Sequence, residues 1–145
     1  MDFRIYSSNN SIDKVKKQEI TNFLYRFLEE YGDKKKSIEK AIDYSLSNEN
    51  GKGGFVLTGE IGGEIIGAVV VNETGMSDYI PENILVYIAV DPEKRGHGYG
   101  EKLMEKAVNT AKGDVALHVE ESNPAIKLYK KIGFTNPYLE MRYRK

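Results

Sequence analysis

The chain contains no cysteine. That excludes disulfides, thiolate metal sites and a cysteine nucleophile. Histidine is scarce too: His97 and His118 stand far apart, without the spacing of metal ligands, so no metal is expected. Neither sign of charge dominates. Lys and Arg number 21 against 22 Asp and Glu, for a net charge of −1. Whole-chain electrostatics therefore gives no reason to expect a nucleic-acid or membrane partner. Long apolar runs are also missing. No stretch of 18 apolar residues and no signal-peptide pattern occurs, which makes the cytoplasm the default expectation. What remains is a chain of 145 residues, 40% hydrophobic, which suits one domain over residues 1–145 around one core.

Hydrophobic periodicity orders the chain. Residues 3–6 alternate weakly and suit an edge strand. Over residues 13–31, Val15, Ile20, Phe23, Leu24, Phe27, Leu28 and Tyr31 recur at helical spacing until Gly32. Ile38, Ala41, Ile42, Ser45 and Leu46 mark a second, shorter helix. Residues 54–61 and 64–72 read as strands of a hairpin through Gly62-Gly63, where both turn residues tolerate positive φ. A polar loop at 73–83 leads to 84–90, apolar on both faces and so a central strand. After Gly100, Leu103, Met104, Ala107, Val108 and Ala111 form one helical stripe that Gly113 ends. Residues 114–120 read as a strand parallel to 84–90, because a helix crosses over between them. Asn123 and Pro124 open a helix that Gly133 closes, and residues 138–143 read as a last strand. The expected fold is α/β (α+β): a mixed sheet carrying helices, with a parallel central pair.

Between the strand and the helix stands Arg95-Gly96-His97-Gly98-Tyr99-Gly100. Alternating glycines let successive N–H groups turn toward one small volume, and an open helix end adds more donors and the positive end of its dipole. Such a loop suits a phosphate or pyrophosphate. A Walker-type loop requires Gly-Lys before Ser or Thr, whereas this chain has Gly100-Glu101-Lys102. A dinucleotide loop is closer, since Glu120 stands where the ribose-binding acid belongs. However, five residues, 91–95, separate this loop from its strand, and the spacing is G-x-G-x-G rather than G-x-G-x-x-G.

The loop instead resembles the Arg/Gln-x-x-Gly-x-Gly/Ala signature of the GNAT superfamily, the acyl-CoA-dependent N-acyltransferases. The downstream segment NPAIKLYKKIGF at 123–134 resembles that family's Asn…Ala…Leu-Tyr-x-x-x-Gly-Phe helix. Both motifs fall in the family's order and separation, and the likeness covers nearly the whole chain. It implies a mostly antiparallel sheet whose central parallel pair is splayed for acyl-CoA. It implies acetyl-CoA as acyl donor, its pyrophosphate on the backbone of Arg95, Gly96, His97, Gly98, Tyr99 and Gly100. The pantetheine would pair with Ile88, Ala89 and Val90, and an N–H near Ile88 would face the thioester carbonyl.

The same resemblance puts Tyr129 near the cofactor sulfur, as the acid that protonates the departing thiolate. By spacing alone Tyr129 also fits the apolar stripe of Ala125, Leu128 and Ile132. Asn123, or Ser122 before it, would contact the pantetheine, although a helix cap also explains Asn123. Arg95 is either a phosphate partner or a solvated turn residue. His97, Lys130, Lys131 and the DKKK run at 33–36 read as solvated.

Many family members place an acid near the start of the strand before the loop, where this chain has Ile84, with Glu82 just before it and Tyr87 within. This departure leaves the base unassigned, with Glu82 the first choice, then Tyr87, Glu73 and Glu120, acting directly or through water. The implied reaction is N-acetylation of a primary amine, on a small molecule or on a peptide or protein. With no cysteine to carry the acyl group, direct transfer is the simpler route. Glu73, Asp78 and Glu82 make the 73–83 loop acidic and favour a cationic acceptor. The alternative is a non-catalytic acyl-CoA-binding or regulatory domain of the same fold. A dinucleotide-dependent oxidoreductase is the third reading.

Overall fold

A computed structural model describes all 145 residues. The chain runs through β1 (Asp2–Tyr6), α1 (Lys14–Phe27), α2 (Lys35–Leu46), β2 (Gly54–Ile61), β3 (Glu64–Glu73) and β4 (Asn83–Val90). It continues through α3 (Tyr99–Thr110), β5 (Val115–Leu117) and α4 (Ile126–Ile132). The sheet order is β1-β2-β3-β4-β5, antiparallel except for β4 and β5, which run parallel. The mixed, mostly antiparallel sheet with β4 and β5 parallel is as expected, but the parallel pair lies at the end of the sheet and not at its centre, because β5 is the last strand.

Strand alternation sends side chains to both faces, and each face is covered by one helix pair. Under α1 and α2 lie Ile20, Leu24, Ile38, Ile42, Val56 and Val70. Under α3 and α4 lie Leu57, Val69, Val71, Leu103, Met104 and Tyr129. Helix α3 sits close to the sheet because Gly59 and Gly67 are cross-strand partners in β2 and β3. A Cβ on Gly67 would stand 2.2 Å from Leu103 Cδ1, and one on Gly59 would stand 3.2 Å from Leu103 Cδ2. The two missing side chains make a notch, and Leu103 fills it.

The periodic run at 13–31 does not form one helix. Asp13 caps α1, its carboxylate accepting from Lys16 N at 2.7 Å. The helix stops at Phe27, and Glu29–Tyr31 make a tighter 3₁₀ turn with Glu29 at φ 54°. The hairpin forms as expected, through Gly62 and Gly63 at φ 60° and 81°. The helix expected from Asn123 begins at Ile126. Asn123 still caps it from upstream, its Oδ1 accepting from Ala125 N at 2.9 Å.

Two strands differ more. The strand expected over 114–120 is only Val115–Leu117, because β5 turns away from β4 after three paired residues. The strand expected over 138–143 does not form. Tyr138, Leu139, Met141 and Tyr143 are exposed, and no ladder includes them. A strand needs a neighbour for its backbone groups, and a three-residue β5 offers too short an edge.

Leu103 is fully buried. Leu103→Ala should lower unfolding free energy by about 2–5 kcal/mol, measured by urea titration. A loss below about 0.5 kcal/mol would mean that α3 is not held through this notch.

Candidate active site

The opening between β4 and β5 is the central feature of the site. The two strands pair at Asn83↔Val115, Ile84↔Ala116 and Leu85↔Leu117, and then part. From Val86 to Val90, β4 keeps β3 on one side and has no strand on the other. Extended backbone without a neighbour leaves N–H and C=O groups for another partner.

A bulge lies at the point of parting. Val70 pairs with Tyr87 and Val71 with Leu85, so Val86 is the extra residue. In a regular strand residues two apart share a face. Here Leu85 joins the core under α3 and α4, while Tyr87 joins the core under α1 and α2. The bulge thus aims Tyr87 at the face opposite Tyr129.

Beyond Val90 the chain makes a 3₁₀ turn, Pro92–Lys94, capped by Asp91 Oδ1 accepting from Glu93 N at 3.0 Å. Gly96 and Gly98 follow, at φ 82° and 78°, a region that favours glycine. A Cβ on either would meet nothing within 4 Å, so open space lies over the loop. Gly98 caps α3 without any side-chain bond, and the first helical bond is Lys102 N to Gly98 O. The amides of Tyr99, Gly100 and Glu101 are left as donors at the positive end of the helix. Gly100 approaches Leu128 and Val90, where its Cβ would lie 3.5 and 3.7 Å from them. The loop therefore sits at the mouth of the opening between the strands.

The remaining sequence candidates take clear places. Arg95 faces Glu29 at 4.0 Å, both more than half exposed, a weak and screened pair. His97 is exposed and braced on the loop itself, its Nδ1 3.0 Å from Arg95 O and its ring stacked on Tyr99. Asn123 acts as a cap, and Ser122 O accepts from the Tyr31 hydroxyl at 3.2 Å. Ile88 and Val90 pack toward the α3 face, and Ala89 is buried on the other.

Tyr129 is 8% exposed and packs on Phe134, with ring centroids 6.0 Å apart. Its hydroxyl has no protein partner, yet no fully buried polar atom goes unpaired, so that hydroxyl meets solvent. Burial pushes the phenol above its ordinary value. At neutral pH it keeps its proton and can donate it.

Glu82 lies at the end of β4 away from the glycine loop. Its carboxylate covers Gly113, where a Cβ would stand 2.4 Å from Oε2. Tyr87 is about 15 Å further along the strand. Tyr87 donates to Asp33 Oδ2 at 2.6 Å. Burial first, and then the bond to Asp33 and its charge, push the Tyr87 phenol well above 10.0. A phenol held in that way is not a base at neutral pH. Glu73 ends β3, and Glu120 is exposed beyond β5.

Asp33 was not among the sequence candidates. It lies 54 residues from Tyr87, and no local pattern announces the contact. Glu29, Tyr31 and Asp33 each touch a different wall of the opening: Arg95, Ser122 and Tyr87. A separate hollow of about 340 Å³ lies between α1 and the β2–β3 hairpin. Glu19, Glu64 and Asp91 outnumber the single cation Arg26 in its lining, the wrong balance for a phosphate. No helix is long and apolar enough to cross a membrane.

The sequence pattern of the Acetyltransferase (GNAT) family matches residues 17–134. An uncharacterized N-acetyltransferase, MJ1207, of Methanocaldococcus jannaschii is 31% identical over 137 residues, covering 86% of this chain and 60% of that protein. A mycothiol acetyltransferase of Catenulispora acidiphila is 33% identical over 69 residues, 44% of this chain and 22% of that protein. The chain thus spans from about a fifth to three fifths of the length of these relatives. Among solved structures, the aminoglycoside N-acetyltransferase AAC(6')-Iy in complex with CoA superimposes with a TM-score of 0.71 at 16% identity. That match covers 99% of this chain and 95% of the other. The ribosomal-protein-alanine N-acetyltransferase from Brucella melitensis biovar Abortus 2308 gives 0.67 at 15% identity and covers both chains fully. At these identities the superpositions speak to the fold.

The Tyr87 shift sets a pH dependence. Its folded value lies above the unfolded one, so its contribution to stability is complete below pH 10.0 and declines as pH rises through the folded value. Melting temperature should fall more steeply above pH 10 in the wild type than in Tyr87→Phe. Parallel curves would show that the phenol is not protected.

Proposed function

The chain belongs to the acetyltransferase (GNAT) family, and from that premise we propose that it transfers the acetyl group of acetyl-CoA directly to a primary amine. The observation that carries this reading is the opening of β4 after Leu85, with the Gly96–Gly98 loop and the uncapped start of α3 at its mouth.

Arg95, Gly96, His97, Gly98, Tyr99 and Gly100 hold the pyrophosphate through backbone N–H groups, and the Arg95 guanidinium exchanges Glu29 for a phosphate. The pantetheine lies along β4, pairing with Ile88, Ala89 and Val90 as a strand would. An N–H at Ile88 faces the thioester carbonyl and stabilises the oxyanion that forms there. Asn123 or Ser122 borders the same channel. The AAC(6')-Iy neighbour, solved with CoA, supports a channel of this kind.

In the reaction the ammonium first loses a proton to solvent. The free amine attacks the thioester carbon and forms the C–N bond. The C–S bond then breaks, and Tyr129 gives its proton to the departing thiolate. The second proton leaving the nitrogen restores Tyr129 through water. The products are an N-acetylamine, CoA and one proton. Glu82, the first choice for the base because it stands just before the strand that leads to the loop, relays that first proton through water to solvent from its place over Gly113. Glu82→Gln should then shift the pH profile of turnover, and an unchanged profile removes Glu82 from the mechanism.

The named neighbours acetylate aminoglycosides and ribosomal-protein alanine, and the partial relatives are named for mycothiol. These are acceptors of different sizes around one fold, so the class proposed here is a primary amine. The acids of the 73–83 loop favour a cationic one.

One experiment tests the proposal: thermal shift with acetyl-CoA, together with free-CoA release over an amine panel. Acetyl-CoA at about 100 times its Kd should add about 2.7 kcal/mol of stability. Gly98→Val should remove the shift, because a β-branched residue at positive φ is strained and fills the space over the loop. Tyr129→Phe should keep the shift and lower turnover by about 10²-fold or more. Unaltered turnover would return Tyr129 to the core. A shift with no CoA release for any amine would favour a non-catalytic acyl-CoA-binding domain.

A further inference from the structure

Asp33 holds a position that the acetyl-transfer chemistry does not use. It lies in the connection between α1 and α2, is exposed, and is tied to β4 by the hydrogen bond from Tyr87. Tying down a loop needs only one oxygen. Asp33 Oδ2 takes the Tyr87 hydroxyl, and its other oxygen has no partner in the protein. The three lysines that follow leave its charge free, and Lys35 lies instead over the Tyr25 ring, 5.1 Å from its centroid.

The faces of the sheet give this carboxylate its meaning. The glycine loop, α3 and Tyr129 belong to one face, where the acyl donor is proposed to enter. An acceptor must reach the same open edge of β4 from the other face. The bulge at Val86 turns Tyr87 to that face, and Tyr87 fixes Asp33 there at 2.6 Å. A primary amine arrives as an ammonium ion, since an unperturbed lysine amine has a pKa of about 10.4. A carboxylate with a free oxygen, held at the parting of the strands, is the natural partner for that cation.

We propose that the Asp33 carboxylate, oriented by the Tyr87 hydroxyl, receives the ammonium group of the acceptor and makes the site selective for cationic amines. The inference rests on the acetyl-transfer reading and adds the residue that chooses the acceptor. Asp33 is a specificity residue, and Tyr87 is a positioning residue acting through it.

Binding and turnover are measured side by side. Spermidine and lysinamide are titrated calorimetrically into CoA-saturated protein, and their KM and kcat are measured with acetyl-CoA. At least one of the two should bind the wild type. Asp33→Asn should weaken that binding about tenfold, the value of one hydrogen bond to a charged group. The loss should fall on KM more than on kcat and shrink at high salt. Asp33→Glu should recover part of it. Tyr87→Phe should weaken binding less than Asp33→Asn, and the acetyl-CoA thermal shift should be the same in all variants. Equal amine affinity and KM in wild type and Asp33→Asn would overturn the assignment and leave acetyl transfer standing. So would failure of both amines to bind the wild type while other amines are acetylated. Amine binding that depends on Asp33, with no CoA released from acetyl-CoA, would sink the transfer reading and leave the amine site standing.

Discussion

How closely α3 can approach β2 and β3 decides the geometry of the cofactor side, and Leu103 seated over Gly59 and Gly67 sets that approach. A side chain on Gly67 would meet Leu103 at 2.2 Å and force the helix outward. The first turn of α3 carries the free amides of Tyr99 to Glu101, so its position fixes where an anion can be held. Gly100, close to Val90 and Leu128, keeps that turn against the end of β4 and against α4. Two glycines in a hairpin therefore position a binding loop that lies well beyond them in the chain.

The second constraint is the parting of β4 from β5. A parallel pair that ended at Leu85↔Leu117 without a successor would leave five residues of β4 backbone without a strand on one side. Such groups demand water or a ligand. The bulge at Val86 adds a directional consequence, because it sends Leu85 and Tyr87 to opposite faces. Two tyrosines result, on two sides of one opening. Burial raises both phenols, so each keeps its proton at neutral pH. Tyr129 has a hydroxyl free to donate, whereas Tyr87 has already given its hydrogen bond to Asp33.

Much of this arrangement was legible in the sequence. The strand at 84–90, the alternating glycines and the following helical stripe are local signals, and the structure forms each of them. The parallel pairing of β4 and β5 followed from the crossover helix between them. What failed was non-local. The 13–31 periodicity ran through Leu28, although the chain breaks there into a 3₁₀ turn. The alternation at 138–143 suited a strand, yet no neighbour of sufficient length exists to pair with it. The DKKK run is exposed as its charge indicates, and only a contact across 54 residues distinguishes Asp33 from the lysines beside it.

The central claim is that the acyl donor lies in the opening of β4 with its phosphates on the glycine loop. Backbone hydrogen exchange with and without CoA tests it residue by residue. The account predicts slowed exchange at residues 86–90 and 96–101, with little change in β1 and β2. Slowing confined to the hollow lined by Glu19, Arg26, Glu64 and Asp91, with residues 96–101 unaffected, would contradict it.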